Sequence, residues 1–124
     1  MLTAALVLTG GCVGGLLRSL LRSLNPSPTP ATDDLGTRVP WGTLIANLLG
    51  SALIGALAAS SGATSGLLGA GLAGAASTWS TLAAELDALW TASRTAALCY
   101  ATLSVLGGVA FASVGAWGTT QTPW

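Results

Sequence analysis

The sequence contains no lysine and no histidine, and its four arginines are balanced by four acids in 124 residues. Charged residues make up 6% of the chain, whereas water-soluble domains carry roughly 25%. Water is therefore not its main solvent. With no histidine, two cysteines and no cluster of acids, a transition-metal site is not expected. No Ser/His/Asp or Cys/His set exists for nucleophilic catalysis, so the chain does not read as an enzyme. It also lacks the basic stripe that nucleic acid would need. Cys12 and Cys99 both fall inside hydrophobic runs and are expected as small apolar core residues rather than a disulfide. No basic residue precedes the first apolar run, which argues for a spanning helix and against a cleaved signal peptide.

What remains is mostly hydrophobe (52%) with 17 glycines. At about 20 residues per crossing, one domain with four transmembrane helices is predicted, at about 2–24, 41–59, 66–94 and 95–117. In the first, Gly10, Gly11, Gly14 and Gly15 recur at spacing i, i+4, a signal for close helix packing in lipid. Arg18 and Arg22 follow at the same spacing. The stretch Asn25-Pro-Ser-Pro-Thr-Pro30 ends that helix, because proline fixes φ and removes donors. Pro40 opens the second helix and Trp41 is placed as an interfacial anchor. Thr43 and Asn47 lie four apart on one face of it.

The third run holds the unusual stretch, Gly71-Leu-Ala-Gly-Ala-Ala-Ser-Thr-Trp-Ser-Thr-Leu-Ala-Ala-Glu85. Small residues give way to four hydroxyls, Ser77, Thr78, Ser80 and Thr81, around one tryptophan. Two structures fit. The helix breaks near Gly74 to Thr78, which is tolerated at membrane depth only where protein buries the break or a polar cavity meets it. Alternatively it continues, with the hydroxyls bonded back to their own backbone. In the first case Ser77 could cap the second half, and Gly74 and Ser77 could aim carbonyl oxygens at a hard cation.

All four arginines (18, 22, 38 and 94) fall on one side of the predicted membrane. The positive-inside rule makes that side cytoplasmic and puts both termini outside. The polar groups within the membrane suit passage of a small solute better than acid–base chemistry. Asn47 offers two N–H donors, and Thr43, Ser80, Thr81, Tyr100 and Ser104 each offer a hydroxyl. Trp79 adds an electropositive ring edge and an indole N–H. Each has a plainer use as well: Asn47 as interhelical glue, Tyr100 as packing.

Four segments in order resemble the Fluc (also called CrcB) family of fluoride channels. Gly10-Gly-Cys-Val-Gly-Gly-Leu-Leu-Arg18 is similar to the family's paired glycines and arginine. Gly42-Thr-Leu-Ile-Ala-Asn-Leu-Leu-Gly50 resembles its second-helix motif, Gly71 to Glu85 its third, and Ala97-Leu-Cys-Tyr-Ala-Thr-Leu-Ser104 its fourth. The resemblance implies an antiparallel, dual-topology dimer of four-helix subunits that lets fluoride leave the cytoplasm passively. It also implies two fluoride pathways at the interface and a structural sodium ion at its centre. By position, Gly74 and Ser77 would give the sodium carbonyls. Asn47 would bind fluoride, and Thr43, Ser80, Thr81, Tyr100 and Ser104 would line the route. The family's phenylalanine pair stands here as Trp79 and Leu82, and Leu82 has no positive edge to offer. Ala75 and Ser77 replace the family's glycine and threonine.

Two further expectations follow. A chain fixed in one orientation by its arginines cannot form an antiparallel homodimer, so it would pair with an oppositely oriented homologue in the plasma membrane. Arg18 and Glu85, at similar inferred depth, would form a structural ion pair. The alternatives are a proton-coupled exporter of the small multidrug resistance type, which needs an acid deep in a membrane helix, and a non-conducting accessory subunit.

Overall fold

The structure, a computed structural model, describes residues 1–25, 39–58, 65–76 and 79–120. The described residues are nearly all helical and include no strand. The elements are α1 (Leu2–Arg22), α2 (Trp41–Ala56), a π-helical segment (Ser65–Ala73), a single turn α3 (Gly74–Ala76), α4 (Trp79–Ala92) and α5 (Arg94–Thr120). Their starts and stops follow from local chemistry. Arg22 lies in the last turn of α1, where a cation meets the negative end of the helix dipole. Pro40 precedes α2 at φ −74°. Ser93 opens α5, its Oγ accepting from the Ala96 N–H at 3.3 Å. Four ends differ from expectation by two or three residues: α1 stops at Arg22, α2 at Ala56 and α4 at Ala92, and α5 runs on to Thr120.

Glycine decides which helices pair. A Cβ on Gly10 would collide with the Leu67 carbonyl, and one on Gly14 with the Leu72 carbonyl, so α1 lies backbone to backbone along the π segment. Likewise Gly107 meets Leu48, Gly55 abuts Ala112, and Gly115 abuts the backbone at Ala52 and Ala56, so α2 lies along α5. In both pairs the residue numbers rise together, so the two helices of each pair are parallel. The pairs run opposite to one another, because the Leu21 carbonyl at the end of α1 meets Gly42 at the start of α2. Arg18, Arg22 and Arg94 consequently gather at one end of the bundle.

Gly42 sits where two backbones touch, and backbone cannot swing aside. Gly42→Ala is expected to destabilise the detergent-solubilised protein by about 2–3 kcal/mol, in the range of core overpacking. Denaturant-induced loss of helical circular dichroism checks this; an unshifted midpoint would mean the α1–α2 junction is looser than described.

The outer faces are apolar. Leu8, Leu16 and Leu20 on α1, and Leu106, Val109 and Val114 on α5, are each at least 63% exposed. Both helices are long and apolar enough to cross a membrane, while α2 is apolar but shorter. Such large continuous apolar faces need a non-aqueous surround, unlike the buried core helices of a soluble protein. Cys12 belongs to this face: expected in the core, it is exposed, while Cys99 is half-buried, and both thiols are free. Buried residues concentrate at the arginine end, where Val39, Leu44, Leu82, Leu89, Ala96, Ala97 and Tyr100 form one cluster between α2, α4 and α5.

Candidate functional site

Three helices meet at Glu85. The Thr43 hydroxyl of α2 donates to Glu85 Oε1 at 2.7 Å, and the Tyr100 hydroxyl of α5 donates to Oε2 at 2.7 Å. A third donor, Asn25 Nδ2, reaches Oε1 at 3.2 Å from the turn after α1. Tyr100 is wholly buried and Thr43 nearly so. These three neutral donors converge on one carboxylate, the arrangement that suits an ionised, acceptor-only group.

One helical turn away, the same three helices line a groove of about 440 Å³. Asn47 follows Thr43 by four residues, Ser104 follows Tyr100 by four, and Leu82 precedes Glu85 by three. Residues so spaced share a helix face about one turn, roughly 5.4 Å, apart. The groove is therefore polar next to Glu85, with Asn47, Ser51 and Ser104, and becomes apolar beyond, with Ile54, Val109 and Ala112. The Ser104 hydroxyl lies beside the Tyr100 phenol. Yet although Ser104 is buried, its oxygen has no partner of hydrogen-bonding geometry among the described residues. Buried hydroxyls are nearly always satisfied; this oxygen is closed to a water-sized probe as it stands, and its hydroxyl would meet an ion in the groove by rotating about χ1.

The other expected residues divide. Trp79 lines the groove's outer side and is 79% exposed, while Leu82, also a lining residue, is buried and offers only hydrocarbon. Ser80 is exposed and Thr81 half-buried on α4. Gly74 lies in α3, exposed, with nothing nearer than the Gly69 carbonyl at 3.8 Å to where a Cβ would stand. Ser77 and Thr78 lie outside the described residues, as does Arg38. Arg18 is half-buried near the end of α1. Asn25 was not foreseen. Its signal was indirect: Pro40 gives α2 no capping side chain of its own, so an acceptor had to come from elsewhere.

Residues 5–116 match the family described as CrcB-like protein, Camphor Resistance (CrcB). The chain belongs to the CrcB-like family. The resemblance seen in the four sequence segments is thus confirmed, and all four lie inside the matched span. Among curated relatives, the fluoride-specific ion channel FluC of Leptospira interrogans is 42% identical over 91 residues, covering 67% of this chain and 72% of the relative. FluC 2 of Corynebacterium diphtheriae is 44% identical over 69 residues, covering 55% and 66%. FluC of Chelativorans sp. strain BNC1 is 35% identical over 97 residues, covering 72% and 78%. For this CrcB-like chain, the family match spans both the groove and the Glu85 cluster.

Proposed function

We propose that this chain is a subunit of a fluoride-selective channel that lets fluoride leave the cytoplasm passively across the plasma membrane. Its relatives' names supply the ion. The buried, partnerless Ser104 hydroxyl in the groove beside Asn47 is the observation that carries the reading. Fluoride is a small, strongly hydrated acceptor, and a route for it must offer hydrogen-bond donors not already taken. Asn47 and Ser104 supply them at the polar end of the groove. Thr43 and Tyr100, whose hydroxyls donate to Glu85, stand one turn on, with Ser80, Thr81 and the Trp79 ring edge at the outer side.

The rest of the assembly is proposed on the same footing. The exposed side that carries Gly74, Trp79 and Ser80 is where a second subunit would seat, in antiparallel orientation, closing the open wall of the groove. No group of three or more His, Cys, Asp or Glu able to hold a metal occurs among the described residues. A cation there would have to be a hard one taken by carbonyl oxygens. The open surround of Gly74 fits that role for sodium, with Ser77 as its companion. When bound, the ion would supply a fixed positive charge at the interface. The arginine end would face the cytoplasm, both termini outside, with Arg18 as counter-charge to Glu85. A homologue of opposite orientation would serve as partner.

Fluoride efflux from vesicles, followed with a fluoride electrode, tests the reading with the purified chain alone and co-purified with a homologous subunit. Flux of fluoride without chloride is expected. Ser104→Ala should lower it about tenfold or more, the value of one hydrogen bond to a charged group. No fluoride flux in either preparation would sink the proposal.

A further inference from the structure

We propose that Asn25 is a positioning residue that holds the Glu85 carboxylate and the Thr43 hydroxyl in fixed directions at the end of the groove; it rests on the channel reading above. The orientation of its amide follows from its partners. Gly42 N and Thr43 N approach one atom of it at 2.8 and 3.2 Å. Backbone N–H groups can only donate, so that atom is the oxygen. The nitrogen therefore faces Thr43 Oγ1 at 3.0 Å and Glu85 Oε1 at 3.2 Å. With its lone pair occupied by Asn25, Thr43 turns its single proton to Glu85 at 2.7 Å.

Asn25 thus does two separable things. Its oxygen caps α2 from a distant turn, satisfying N–H groups that Pro40 leaves without a side-chain acceptor. Its nitrogen aims the Thr43 hydroxyl. Without it that hydroxyl is free to turn back to a carbonyl of the preceding helical turn, and the carboxylate loses two of the three donors. A carboxylate released one turn from Asn47 and Ser104 would stand against any anion there.

Asn25→Asp separates the two roles. Aspartate keeps the cap, and its charge suits a helix N-terminus. It cannot donate to Thr43, and it sets a like charge beside Glu85. Wild type, Asn25→Asp, Glu85→Gln and the double variant are compared by fluoride efflux from phosphatidylethanolamine–phosphatidylglycerol vesicles and by thermal unfolding in detergent. Asn25→Asp is expected to conduct about tenfold less than wild type or lower. The double variant should conduct better than either single one. In it the amide introduced by Glu85→Gln can donate to the carboxylate introduced by Asn25→Asp, a non-additivity that a pure cap would not produce. Asn25→Asp conducting as wild type overturns the inference. If that variant does not fold, the double variant decides: fluoride flux supports the coupling and its absence overturns it. If wild type itself carries no fluoride, the channel reading fails by itself. The unfolding data then decide the positioning role, and additive effects of the two substitutions overturn it.

Discussion

Glu85→Ala is expected to destabilise the folded chain by about 3–5 kcal/mol and to abolish fluoride flux. The estimate rests on the groups left behind, at about 1–3 kcal/mol for each buried donor that loses its acceptor. Thr43 and Tyr100 are both buried and both donate to this carboxylate at 2.7 Å. Asn25 makes the third bond. Hydroxyl rotation can recover part of the loss, so the sum stays below three full penalties. Tyr100→Phe removes one donor and leaves the acceptor with two others, and should cost only about 1 kcal/mol. Glu85→Gln keeps the volume and one acceptor oxygen, and should fall between the two. Unfolding in a detergent titration gives the order, and vesicle efflux gives the functional loss. If Glu85→Ala were as stable as wild type, or milder than Tyr100→Phe, the carboxylate would not be the node that joins α1, α2, α4 and α5.

Parts of this node were legible in the sequence. Thr43 with Asn47, and Tyr100 with Ser104, share a face at i, i+4 in any helix, so their grouping needed no tertiary information. The helical class followed from the uncharged runs in the same way. Asn25 was different. It sits in a proline-rich turn, 17 residues before the first N–H it caps and 60 before Glu85, and no local pattern connects those positions. The sequence pairing of Glu85 with Arg18 rested on opposite charge at similar inferred depth, which gives no sign of the neutral donors that reach the carboxylate from three other parts of the chain. The π-helical form of Ser65–Ala73 was not foreseen either. Its glycines permit a wide turn, but they permit a close-packed α-helix equally well. The glycine pattern of α1 gave two candidate faces, Gly10 with Gly14 and Gly11 with Gly15. Spacing alone could not choose between them, because both pairs satisfy it and only the position of the π segment breaks the tie.

That choice carries the second large expectation. Gly10→Leu should leave no folded protein to purify, while Gly11→Leu should express and remain monodisperse. A Cβ on Gly10 would overlap the Leu67 carbonyl and stand 3.0 Å from Leu72 N and 3.1 Å from Gly71 Cα. All three are backbone atoms. Gly71 meets the same obstacle from the other side, 2.9 Å from the Val7 carbonyl oxygen and 3.0 Å from Gly10 Cα. Around Gly11 the space is open. In lipid no hydrophobic drive holds the two backbones together; close packing does most of it, so a side chain that forces them apart removes the cause of association itself. Gly10→Ala should cost about 1–3 kcal/mol as overpacking, whereas Gly11→Ala should be neutral or stabilising by up to about 1 kcal/mol, since alanine favours the helix. The π segment runs directly into α3, which carries Gly74, so displacing it from α1 also displaces the backbone proposed to meet the cation and the partner subunit. A conducting Gly10→Leu channel, or a Gly11→Ala variant less stable than Gly10→Ala, would mean that α1 packs through its other face.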